Sequence, residues 1–290
     1  MLKECIKTIE NNCKHDELIK ISNTLHCLYS PFLLDQKVWA IIEEVLPFDI
    51  YNRIKIYKDS LLGHMIVNEL VIKYFPGEST IKYHFIKNYL NRLNEVTTFE
   101  LNVGKSRLDI GRINGKSIAY EIKTELDSLD KLNKQLSDYS KVFEYVYVII
   151  HPCHLDKVIE RIPDHVGVIT YKLNNENCTF AFRKRALKNL HFSSIGQLEA
   201  LNKKELDWII KENGNLISNN ARIEKESYIL EHFSSKKINL YFKKVLKRRY
   251  NKKWGYLCDN FENILPVDVQ TFFATQADPY WIYYKNSSIV

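Results

Sequence analysis

Residues 106–123 read Ser-Arg-Leu-Asp-Ile-Gly-Arg-Ile-Asn-Gly-Lys-Ser-Ile-Ala-Tyr-Glu-Ile-Lys. Two short apolar runs flank Asn114-Gly115, a pair that favours a tight turn, so the stretch reads as a β-hairpin. Asp109 falls on the first strand, and Glu121 and Lys123 fall on the second. Side chains two apart on a strand share a face, so Glu121 and Lys123 project together while Ile122 points the other way into a core. Two carboxylates beside one lysine suit a hard divalent cation, and the lysine adds a charge able to orient a water or steady a phosphate. The arrangement depends on register. A two-residue loop sets Asp109 opposite Tyr120 and turns Glu121 to the other side. A three-residue loop, Asn114 to Lys116, or a bulge near Gly111, sets Asp109 opposite Glu121. Facing carboxylates repel without a counter-ion, so the expectation is an odd loop or a bulge with metal between them.

Working outward, the chain alternates strand and helix patterns. Residues 95–103 read as a strand leading through Gly104 into the hairpin. Thr124 reads as an N-cap with Asp127 at the third helical position. Leu126, Leu129, Leu132, Leu136, Tyr139 and Phe143 then recur at helical spacing. Gln135 and Tyr139 lie one turn apart on that helix. Tyr145 to Ile150, Y-V-Y-V-I-I, is a short apolar run that fits a central strand covered on both faces. The strand–helix–strand order makes it parallel to the Glu121 strand. A helix at 155–162 and strands at 166–171 and 179–182 complete an α/β core.

Upstream, residues 61–75 form an amphipathic helix with Glu69 at the margin of its apolar face, four residues before Lys73. A second helix, about 80–93, follows Pro76-Gly77. Residues 1–60 read as helices and carry no chemical motif.

From Arg183 the texture changes. Residues 183–290 hold 19 basic and 11 acidic side chains, a net +8, against −1 for residues 1–182. The positive excess is entirely C-terminal, which suits a polyanionic partner. It concentrates in 233–256, where Lys236, Lys237, Lys243, Lys244, Lys247, Arg248, Arg249, Lys252 and Lys253 occur with no acid and with Tyr241, Tyr250 and Trp254 interleaved. Lys243, Lys244, Lys247, Arg248, Arg249, Lys252 and Lys253 are the candidate phosphate-backbone contacts; a solvated helical face is the plainer reading. The aromatic tail, with Pro266, Phe272, Phe273, Trp281 and Tyr284, is expected to pack.

The six cysteines form no C-x-x-C pair and no disulfide framework, which fits a reducing, cytoplasmic setting. The charged N-terminus lacks a signal-peptide pattern, and no apolar run approaches the roughly 20 residues needed to cross a bilayer. His151-Pro-Cys-His154 lacks a second ligand pair and reads as a loop.

Asp109, the Glu121-Ile122-Lys123 triplet on the next strand and Gln135-Leu-Ser-Asp-Tyr139 on the following helix resemble the PD-(D/E)XK nuclease superfamily with the Q-x-x-x-Y signature of its RecB-like branch. The wording R-L-D-I, Y-E-I-K-T-E-L-D-S-L and Q-L-S-D-Y is similar to the bacterial sce7726 family. The resemblance covers residues 61–182. It implies an α/β fold with a restriction-endonuclease-like core, a mixed sheet flanked by helices, between a helical N-terminal region (1–60) and a basic, mainly helical C-terminal region (183–290). It also implies a nuclease dependent on Mg²⁺, with Mn²⁺ as a substitute. Asp109, Glu121 and the Ile122 carbonyl would bind metal, with Glu69 as a further acidic residue. Lys123 would act on the water or the phosphate, and Gln135 and Tyr139 would support the site. The substrate class is nucleic acid, DNA foremost; a protein partner or a second copy of the chain is compatible. The alternatives are a catalytically silent protein that binds nucleic acid or a partner, and an interaction component of a defence or mobile-element system.

Overall fold

The computed structural model describes residues 1–174, 177–190, 192–215 and 221–284. The architecture is mixed α/β, with an open six-stranded sheet flanked by helices. The chain divides into two compact units, Met1–Asn88 with Leu173–Asn177 and Gly255–Val290, and Tyr89–Lys172 with Cys178–Trp254. This differs from a segmentation at 60 and 182. The helices near residue 80 go with the N-terminal bundle, and most of the basic segment goes with the sheet, because shared core rather than chain order groups them.

The first unit is helical. It holds α1 (Leu2–Glu10), α2 (His15–Leu28), α3 (Asp35–Val45), α4 (Phe48–Ile54), α5 (Gly63–Tyr74) and α6 (Glu78–Lys87). Leu25, Val38, Trp39, Ile42, Ile54 and Leu70 form its core. Trp39 is fully buried and donates its indole N–H to the Leu61 carbonyl at 3.1 Å, the partner a buried indole needs. The C-terminal segment packs into the same unit. Val267 N–H donates to Asn68 Oδ1 at 2.9 Å, and the Tyr29 and Tyr283 hydroxyls donate to Asp268 Oδ2 at 2.9 and 2.7 Å. Phe272 and Phe273 are buried as the aromatic tail requires, but Trp281 is mostly exposed, contrary to expectation.

The second unit is built on the sheet, in the order β1 (Val96–Val103), β2 (Ser106–Ile113), β3 (Ser117–Lys123), β4 (Tyr145–Ile150), β5 (Gly167–Asn174) and β6 (Asn177–Lys184). β1–β2 and β2–β3 are antiparallel; β3–β4 and β4–β5 are parallel, as the crossover requires. The crossover helix is α7 (Leu132–Ser140), whose Leu132, Leu136 and Tyr139 join Ala119, Val146 and Val148 in one core. α8 (Leu155–Ile159) follows β4. Then come α9 (Ser194–Glu199), α10 (Lys203–Lys211), α11 (Arg222–His232) and the 26-residue α12 (Ser235–Asn260); α13 (Val269–Thr275) and α14 (Pro279–Tyr284) belong to the helical unit.

The crossover helix begins seven residues later than the capping pattern at Thr124 predicts. Asp127 Oδ2 accepts both the Thr124 N–H and its hydroxyl, at 2.6 and 2.7 Å, and the Asp127 N–H returns to the Thr124 carbonyl at 3.2 Å. The bonds close a local turn rather than start a helix. Ser128 and Asp130 close another at 2.5 Å, and Leu126 is left 78% exposed in the loop.

Candidate functional site

The β2–β3 loop holds three residues. Ile113 pairs with Ser117, Arg112 with Ile118, Gly111 with Ala119 and Ile110 with Tyr120. Asn114 N–H bonds the Lys116 carbonyl at 3.1 Å, and Gly115 has φ +89°, the left-handed region that glycine enters without penalty. By count, Asp109 therefore falls opposite Glu121, the register the site needs. The paired ladder stops at Ile110–Tyr120. One step further, the Ile122 N–H donates to Asp109 Oδ2 at 2.6 Å, so the Asp109 carboxylate reaches across to the Glu-x-Lys end of β3.

Glu121 is the hub. Its residue is 1% exposed. Oε1 accepts from Lys123 Nζ at 2.8 Å and from Gln135 Nε2 at 2.5 Å, and Oε2 lies 2.7 Å from the Tyr139 hydroxyl. A buried carboxylate demands partners of this kind. Three of them come from residues chosen by motif: Lys123 two along the same strand, and Gln135 and Tyr139 one turn apart on α7. The Tyr139 hydroxyl is also 2.9 Å from the Arg107 carbonyl, so it braces the start of β2 as well as Glu121. Burial pushes the Tyr139 phenol well above its ordinary value, and the charges of Glu121 and Asp109 add to the shift. Tyr139 therefore keeps its proton and acts as a donor.

Sequence reasoning missed Glu100. The β1–β2 hairpin turns on Gly104-Lys105, with Gly104 at φ +59°, and pairs Val103 with Ser106, Leu101 with Leu108 and Phe99 with Ile110. Glu100 is thereby placed across from Asp109. It interrupts the strand with a left-handed backbone, φ +53°, and its carboxylate comes within 4.8 Å of that of Asp109. It also pairs with Nε of Arg107. The signal was available in the two-residue spacing around Gly104, read as a second register.

The remaining expected residues lie as follows. Ile122 is buried, and its N–H holds Asp109. Glu69 belongs to the helical unit, half-buried on α5, lining a groove of about 440 Å³ with Leu2, Lys3, Ile6, Lys7 and Glu10. Lys73, its neighbour one turn on, pairs with Glu10 of α1. The basic residues of α12 split into two sets. Lys243 bonds the Gly115 carbonyl at 2.8 Å and Glu144 at 3.1 Å, Lys247 bonds the Asn94 carbonyl at 2.7 Å, and Arg249 is forked onto Glu205. These three make contacts within the fold. Lys244, Arg248 and Lys252 are exposed at successive four-residue intervals, one stripe of the helix; Lys253 is half-buried. Among the described residues no helix is long and apolar enough to cross a membrane.

A family model described as Bacteriophage P4 protein cII matches residues 76–272, which takes in every strand of the sheet and all of α12. The chain belongs to the phage P4 protein cII family. Protein cII of Enterobacteria phage P4 is 28% identical over 145 residues, covering 50% of this chain and 55% of that protein, so the chain spans about half the length of this curated relative. Among solved structures, a protein of unknown function from Silicibacter pomeroyi aligns with a TM-score of 0.30 at 11% identity, over 49% of this chain and 93% of that one. In this family member the match includes Asp109, Glu121, Lys123, Gln135 and Tyr139 and leaves out Glu69.

Proposed function

We propose that the protein is a metal-dependent nuclease of the PD-(D/E)XK type with a restriction-endonuclease-like core, hydrolysing phosphodiester bonds in nucleic acid, DNA foremost. The observation that carries this reading is the meeting of Asp109, Glu121, Lys123, Gln135 and Tyr139 at one end of β3, five residues joined by one motif and spread over thirty positions of sequence. The order helix, three-stranded meander, crossover helix and parallel strand supports the core assignment.

The donor set fits a hard cation. Carboxylate oxygens of Asp109 and Glu100 lie within 4.8 Å of each other, close enough to share an ion, and all the donors are oxygens. Asp109 and Glu121, with the Ile122 carbonyl, would hold Mg²⁺ or Mn²⁺, which when bound lowers the pKa of water and neutralises charge on the scissile phosphate. The chain's own groups do the rest. Lys123 places a positive charge beside the phosphate and orients the attacking water. Gln135 and Tyr139 fix Glu121 so that its carboxylate does not swing away, and Tyr139 contributes a proton-bearing hydroxyl throughout. The exposed stripe Lys244, Arg248 and Lys252 supplies charge for the nucleic-acid backbone.

A second reading is favoured by one observation: both oxygens of Glu121 are already engaged, Oε1 by Lys123 and Gln135 and Oε2 by Tyr139. A protein that kept this buried network for stability would bind nucleic acid without cutting it. The full chain incubated with linear, nicked, flapped and single-stranded DNA and with RNA, in Mg²⁺ and in Mn²⁺, separates the two. Cleavage by the wild type, lost in Asp109→Asn while the circular dichroism spectrum and melting temperature are kept, supports the nuclease. Asparagine keeps an oxygen for the Ile122 N–H, so this variant tests chemistry rather than folding. A wild-type protein inert on every substrate overturns the nuclease reading.

A further inference from the structure

The outer face of α12 is backed by rings. Lys237, Tyr241, Lys244, Arg248 and Lys252 recur at steps of three or four residues, which sets them in one line along the helix. At about 1.5 Å per residue, the line from Lys237 to Lys252 runs about 22 Å. Lys237 Nζ sits 4.4 Å from the centroid of the Phe233 ring, Lys244 Nζ 5.2 Å from that of Tyr241, and the Arg248 guanidinium carbon 5.1 Å from that of Trp208. The three rings are neighbours in turn. Phe233 and Tyr241 lie 6.0 Å apart between centroids, and Tyr241 and Trp208 lie 6.1 Å apart. Phe233 and Tyr241 belong to the buried core of the sheet unit, and the Tyr241 hydroxyl is 3.3 Å from Asn213 Oδ1, so the row is anchored.

Among the described residues, Lys237, Lys244 and Arg248 are exposed, make no ion pair, and meet no protein acceptor with their side-chain N–H groups. Three acids of the neighbouring helices are engaged elsewhere: Glu205 with Arg249, Asp207 with Lys225 and Glu226 with Arg222. Lys243 and Lys247 of the same helix spend their ammonium groups on acceptors. A ring face attracts a cation through its quadrupole but supplies no oxygen or nitrogen lone pair. It therefore orients the ammonium or guanidinium and leaves N–H donors for the oxygens of an anion. Side chains ordered beforehand lose less entropy when that anion binds. Solvation accounts for the exposure of these cations, but not for their being laid one by one on a continuous row of rings.

We propose that Lys237, Lys244 and Arg248 form a phosphate track for a nucleic-acid backbone, with the rings of Phe233, Tyr241 and Trp208 as its positioning residues. The proposal takes its ligand class from the reading above, adds Lys237 to the exposed stripe, and does not depend on cleavage. A line of cations without an acid suits a polyanion of uniform repeat; about 22 Å spans about six phosphates of one strand at about 3.4 Å each. The test uses the full chain, with Ca²⁺ in place of Mg²⁺ to withhold cleavage. It measures affinity for labelled DNA, as single strand and as duplex, and for a labelled RNA strand across a KCl series. Lys237→Ala is expected to lower the slope of log affinity against log salt by about 0.9 on duplex DNA or about 0.7 on a single strand, whichever is bound. Trp208→Leu keeps every charge and is expected to weaken binding about two- to fivefold, the size of an exposed cation–π contact. In an Arg248→Ala background Trp208→Leu is expected to add no further loss, whereas a merely structural role would weaken both backgrounds alike. Equal losses in the two backgrounds overturn the positioning role. An unchanged Lys237→Ala slope in a wild type that binds overturns the track and leaves the nuclease reading standing. Polyglutamate that competes as well as single-stranded DNA assigns the face to acidic polypeptides and overturns the track as well. A wild type without salt-dependent affinity for any of the three nucleic acids overturns it whatever its activity in Mg²⁺.

Discussion

Tyr139 shows how one atom can carry several parts of the fold. Its hydroxyl is within hydrogen-bonding distance of Glu121 Oε2 and of the Arg107 carbonyl. Tyr139→Phe keeps the ring in the core and removes only the hydroxyl, and losing that donor beside the buried Glu121 carboxylate is expected to cost about 1–3 kcal/mol, read as a lower urea midpoint. Lys123 and Glu121 form a buried ion pair at 2.8 Å. Lys123→Met takes this positive partner from a buried carboxylate and is expected to destabilise by about 3–5 kcal/mol. The Glu121→Gln/Lys123→Met double variant should recover part of that loss, and strict additivity in the double-mutant cycle would mean the pair is not coupled. The Glu-x-Lys spacing announces this pair from sequence, because period-two geometry is local. The left-handed Glu100 was not announced, because nothing in a Phe-Glu-Leu run signals a positive φ.

At the scale of elements, the three-residue loop between β2 and β3 decides whether there is a site. Gly115 sits at φ +89° with no heavy atom within 4 Å of where a Cβ would stand. Gly115→Ala therefore meets no clash, and its cost is backbone strain alone, about 1–2 kcal/mol, expected as a fall in melting temperature. The loop is also anchored from outside: Lys243 of α12 donates to the Gly115 carbonyl and to Glu144. Sequence reading took α12 as one basic face, whereas contacts divide it. The exposed residues are the ones available to a polyanion. Replacing Lys244, Arg248 and Lys252 together by Ala is expected to lower nucleic-acid affinity and to reduce the salt slope by about 2.7 on duplex DNA, while leaving the fold intact. An unchanged slope would assign the stripe to solvation.

For the molecule as a whole, the clearest handle on stability lies in the helical unit. Asp268 is buried under Tyr29, Tyr283 and Asn68 and joins the C-terminal segment to α2 and α5. Burial raises its carboxyl from 3.8 to about 6, and the hydrogen bonds from Tyr283 and Tyr29 pull back against that rise. The folded protein thus keeps the proton over a range where the unfolded chain has lost it. Between about pH 4 and pH 6 the native state binds more protons, so this group's contribution to stability falls as pH rises through that window, by up to about 3 kcal/mol. Asp268→Asn is expected to flatten that portion of the curve of unfolding free energy against pH; an unaltered curve would show that Asp268 titrates normally.

The sequence alone determined the hairpin, the shared face of Glu121 and Lys123, the crossover helix with Gln135 and Tyr139 one turn apart, and the requirement that the loop be odd or the strand bulged. Each of these follows from a short-range period or a turn residue, and short-range geometry is written into consecutive side chains. Only the tertiary structure chose the three-residue loop, placed Glu100 against Asp109, turned Thr124 and Asp127 into a closed turn rather than a cap, and gave Lys243 and Arg249 structural partners. Those choices depend on which strand or helix lies alongside, a sum over contacts between residues far apart in the chain. Local pattern constrains such pairings without fixing them.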